Sequence, residues 1–87
     1  MDKMIDKIEY WYKEIFDKRN NISELMKKKA EMKASLWSEA EGTVDAKKDY
    51  IKSKTASIDD EIRLLEANIE YAYNMVEVYN LRLLCDE

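Results

Sequence analysis

A single glycine, Gly42, and no proline occur in 87 residues. Tight hairpins between strands depend on Gly and Pro, so a multi-strand sheet is excluded and one sharp reversal remains. Charged residues make up 39% of the chain and apolar ones 46%. With a mean hydropathy of −0.66, this balance describes amphipathic helices, not a disordered tail. A chain of this length is one small domain, residues 1–87, burying about 60% of its unfolded surface.

The first helix is expected from Asp2 to Glu41. Met1, Met4, Ile8, Trp11, Ile15, Ile22, Leu25, Met32 and Leu36 step in a 3-4 heptad rhythm, interrupted at Lys18 and Lys29. Ile5, Tyr12 and Met26 widen the stripe. Asn21 with Glu24 resembles a capping box, but the heptad phase passes unbroken from Ile15 to Ile22, so one continuous helix is expected. The turn falls near 41–44. Gly42 supplies a left-handed backbone, and Thr43 caps the next helix with Asp45 in its first turn.

Val44 to about Lys54 forms the second helical segment. Ser53 to Ser57 is polar and β-branched, and Ser57-Ile58-Asp59-Asp60 reads as a fresh N-cap, so a kink or break is expected at 53–57. From Ile58 to Cys85 the pattern is the cleanest in the chain. Ile62, Ile69, Val76 and Leu83 occupy one core position, and Ile58, Leu65, Ala72 and Tyr79 the other.

The expected fold is therefore all-α: a long helical hairpin of two to three helices with coiled-coil-like packing. Ile8, Ile15, Ile22 and Leu25, with Ile58, Ile62, Leu65, Ile69, Val76, Tyr79 and Leu83, are expected to form an oligomer seam. A lone hairpin leaves the flanks wet at Ile5, Tyr12, Leu64, Tyr71 and Met75, so a homodimer or larger bundle is expected.

The chain has no His. The commonest general base, the partner for a Cys or Ser nucleophile and the Glu-x-x-His ligand pair of di-iron bundles are all missing. One Gly forms no phosphate loop. Acids such as Asp59-Asp60-Glu61 suit a helix N-terminus better than a metal. A protein with no catalytic residues, no cofactor and no metal is expected. Cys85 is alone, which suits a reducing compartment. The charged N-terminus has no apolar core of a signal peptide. The longest uncharged run, Tyr71–Val76, is far short of a bilayer span, so no membrane partner is expected.

The net charge of −4 is unevenly spread. Residues 18–54 hold ten basic and six acidic residues, whereas 55–87 hold two and eight. The lysines at 27–29, 33, 47–48, 52 and 54 gather near the turn; of these, Lys27, Lys28, Lys47 and Lys48 are the candidate phosphate contacts. A pI near 4.9 and an absence of Arg from the cluster speak against direct nucleic-acid binding. The candidate partner face is Tyr10, Trp11, Tyr12, Trp37, Tyr71 and Tyr73, because consecutive aromatics at 10–12 cannot all face one seam.

The run Ala40-Glu41-Gly42-Thr43-Val44, followed by Ala46 and Lys47, resembles a motif of small helical proteins encoded by bacteriophages of Gram-positive bacteria. The resemblance spans Leu36 to Leu84 and implies a helix-turn motif before a long heptad helix. Such proteins often lie in recombination and replication gene clusters, and the family has no catalytic residues to carry over. It implies an accessory protein in the host bacterial cytoplasm that binds itself and a phage or host protein. The alternatives are an anti-CRISPR-like inhibitor that blocks a host nucleoprotein, with Asp59, Asp60, Glu61, Glu66, Glu70 and Glu77 imitating phosphates, and a virion-assembly chaperone.

Overall fold

The computed structural model describes residues 2–85. Two helices, α1 (Asp2–Glu39) and α2 (Val44–Cys85), form an antiparallel hairpin 66 Å long, and no strand occurs among the described residues. Met1, expected on the first stripe, lies outside them. α1 is continuous through Asn20 and Asn21, where hydrophobic phase outweighs local capping. Its regular bounds end at Glu39 rather than Glu41, although the Ala40 N–H still donates to the Leu36 carbonyl at 2.8 Å.

The turn takes the expected form. Gly42 has φ +106°, which L side chains rarely adopt. Thr43 Oγ1 accepts from the Ala46 N–H at 3.2 Å, and its carbonyl accepts the first helical bond from Lys47 at 2.9 Å. Asp45 lies in the first turn of α2, toward the positive end of its dipole.

The break expected at 53–57 does not occur: α2 runs unbroken from Val44 to Cys85. Ser53 Oγ donates back to the Tyr50 carbonyl at 2.8 Å, and Thr55 Oγ1 to that of Ile51 at 2.9 Å, so these hydroxyls bond within the helix instead of ending it. Thr55 is buried between Ile51 and Ile58. Ile51 stands seven residues before Ile58 and Thr55 seven before Ile62, so the heptad runs through this segment without a change of phase.

The stripe expected as the oligomer seam closes the hairpin itself. Ile15, Ala72 and Val76 form the buried cluster, with Ile8, Trp11 and Ile69 packed on it. Ile58 is also buried, and Ile22, Leu25, Ile62, Leu65, Tyr79 and Leu83 are half-buried. The heptad interruptions are seam positions too. Lys29 crosses the seam to Asp59 at 2.5 Å, and Lys18 turns back to Glu14 at 2.5 Å. Cys85 closes α2 as an exposed free thiol.

Candidate functional site

Successive residues of a helix are about 100° apart, so Tyr10 and Tyr12 diverge on either side of the seam residue Trp11. Tyr10 packs edge-on against Trp11 at 5.1 Å, and Trp11 against Tyr71 at 5.6 Å. Leu64 and Val78, seven residues either side of Tyr71, continue this flank along α2, and both are exposed. The result is an exposed line of apolar and aromatic side chains on this flank, the composition favoured in interface anchors.

Tyr12 and Tyr73 lie on the other flank. Tyr73 accepts a hydrogen bond from Arg19, whose guanidinium stands 5.3 Å from its ring centre. Arg19 is seven residues after Tyr12 on the same line of α1. Trp37 sits near the turn with the Lys47 ammonium over its ring at 5.1 Å. The six aromatics expected as one partner face are therefore three groups: Tyr10, Trp11 and Tyr71 together, Tyr12 and Tyr73 opposite, and Trp37 apart.

The lysines are also divided. Lys28 lines a groove with Asn21, Glu24, Leu25, Glu61 and Leu64. Lys48 lines a different groove of about 590 Å³ with Lys29, Lys33, Lys52, Trp37 and Thr55. Lys47 is engaged on Trp37, and Lys27 is exposed. The four candidate phosphate contacts are thus not one patch; the cationic groove gathers Lys33, Lys48 and Lys52 instead. Lys29 in that groove is already paired with Asp59.

The Lys29–Asp59 pair is absent from the expected site residues, although Lys29 stands seven residues from both Ile22 and Leu36. The Lys29 hydrogen bond and the charges of Lys29, Arg63 and Lys33 hold the Asp59 carboxyl below its ordinary value, against the upward push of partial burial. An acid held below its unfolded value stabilises the fold above that value and loses the contribution as pH falls through the folded one. The thermal midpoint should therefore begin to fall as pH drops below about 5, and go on falling through and below the ordinary carboxylate value. Asp59→Asn should melt at lower temperature near pH 7 and show a shallower acid limb. Parallel limbs in a calorimetric pH series would count against the pair.

No helix among the described residues is long and apolar enough to cross a membrane. No protein-family model, curated protein or solved structure matches the chain.

Proposed function

We propose that the chain is a non-enzymatic protein-interaction hairpin that works as a homo-oligomer and docks a second protein on its aromatic flank. One observation carries this reading. Among the described residues five apolar side chains are buried, whereas fourteen large ones are exposed. A hairpin that leaves this many large apolar side chains exposed gains from cover, at about 25 cal/mol per Å² of apolar surface removed from water. The Tyr10–Trp11–Tyr71 array, extended by Leu64 and Val78, is the face for the second protein. The resemblance at Ala40–Val44 implies the setting: an accessory of phage recombination or replication in the host cytoplasm.

The acids Asp60, Glu61, Glu70 and Glu77 are exposed along α2. They support a second reading, an anti-defence protein that occupies the nucleic-acid channel of a host nucleoprotein.

Tagged wild-type chain and Tyr71→Ser, expressed in infected bacteria, test the proposal by capture and mass spectrometry. Wild type should retain one stoichiometric partner, and Tyr71→Ser should lose most of it. A recombinase or single-strand-binding protein fits the accessory role, a Cas effector the anti-defence role and a virion protein an assembly role. Equal capture by both chains would remove the aromatic flank from the account.

A further inference from the structure

About a quarter turn around α1 from the hairpin seam, a second line of side chains repeats with heptad spacing on the outer surface. It begins at Ile5 and ends at Trp37, alternating steps of four and three. Ile5, Tyr12, Phe16, Met26 and Trp37 on it are all exposed, Phe16 by 64%. The hairpin leaves all five exposed, yet their period is that of a helix-packing face.

The line is self-complementary when reversed. Antiparallel to itself about a two-fold axis at Asn21, Ile5 meets Trp37, Tyr12 meets Ala30 and Phe16 meets Met26. Glu9 meets Lys33, and Arg19 meets Ser23. Every apolar residue finds an apolar one, and the acid finds a lysine. Shifting the register one heptad either way breaks this, setting Glu9 on Met26 or Phe16 on Lys33. A two-fold interface requires such a match, because one patch serves both sides.

The charge distribution and the groove favour the same orientation. Residues 27–54, about a third of the chain around the turn, hold eight Lys and five acids, whereas the remainder holds seven basic and fourteen acidic residues. Antiparallel packing sets the basic turn region of each copy beside the acidic open end of the other; parallel packing sets like beside like. The groove of about 590 Å³ lined by Lys33, Trp37, Lys48 and Lys52 lies where Ile5 and Glu9 of a second copy would enter.

We propose that this outer line of α1 is a dimer interface, occupied by α1 of a second copy running antiparallel, with Glu9 of each copy set against Lys33 of the other. The proposal rests on the homo-oligomeric reading above and adds its surface, polarity and register.

Sedimentation equilibrium at ~150 mM salt tests it with exposed-site variants whose helical circular dichroism is checked first. Phe16→Glu should weaken the dimer about a hundredfold or more, by setting a charge in a desolvated contact. Glu9→Lys and Lys33→Glu should each weaken it about tenfold, because each introduces two like-charge pairs per dimer. An equimolar mixture of those two, or the double variant, should regain wild-type affinity. A wild-type dimer indifferent to all three changes would overturn the interface and leave the homo-oligomeric reading standing. A wild-type monomer at every concentration would overturn both. In that case, fluorescence anisotropy showing a single-stranded oligonucleotide bound through Lys33 would reassign the groove to nucleic acid.

Discussion

Ile15→Asp is expected to abolish the folded hairpin. Ile15 is 3% exposed and sits in the cluster with Ala72 and Val76. Truncating a buried Ile costs about 2–5 kcal/mol, and an unpaired carboxyl in its place adds about 2–7 kcal/mol even when protonated, and far more when ionised. A domain of this size is stable by roughly 4–13 kcal/mol in all, so the substitution consumes most or all of it. Far-UV circular dichroism should show little helix at 25 °C. Phe16→Asp, one residue along and 64% exposed, should stay helical. An Ile15→Asp protein melting within a few degrees of wild type would refute the seam.

Gly42→Ala should be the other large loss. A Cβ at Gly42 would meet only the Ala46 Cβ, at an ordinary 3.4 Å, so space is no obstacle. The cost is conformational: φ +106° is a region L residues rarely adopt, and holding one there costs about 1–3 kcal/mol. In a domain of this length each ~1 kcal/mol shifts the thermal midpoint by about 4–8 °C. Calorimetry should register a drop of at least about 4 °C. A raised midpoint would mean that the chain tolerates an ordinary backbone at the turn.

Hydrophobic period and turn chemistry made the hairpin readable from the chain. Ile58 to Leu83 repeats for four heptads, and a lone Gly before Thr43 leaves one place to reverse. The segment 53–57 misled because Ser, Thr and Asp cap helices and also bond back to carbonyls inside them. Thr55 does the latter, and its spacing from Ile51 and Ile58 places it on the seam. Lys29 looked like a fault in the stripe because charge hid its heptad position. Its partner Asp59 comes from a segment thirty residues away.

The aromatic face was less legible. Residue type marked Tyr10, Tyr12, Tyr71 and Tyr73 as anchors, but sorting them into two flanks required knowing which residue of each run faces the other helix. Trp11 and Ala72 do so, and their neighbours separate accordingly. Likewise, a heptad shows that a stripe is covered without naming the chain that covers it. The inner line of α1 is covered by α2, and the outer line stays exposed.

The central claim is that this hairpin is completed by association. Its most direct test is the thermal midpoint of the wild-type chain at about 1 μM and about 100 μM. If dimerisation completes the fold, mass action raises the midpoint with concentration, by several degrees across this range. The same midpoint at both concentrations, with a sedimenting mass of 10.4 kDa, would contradict the account.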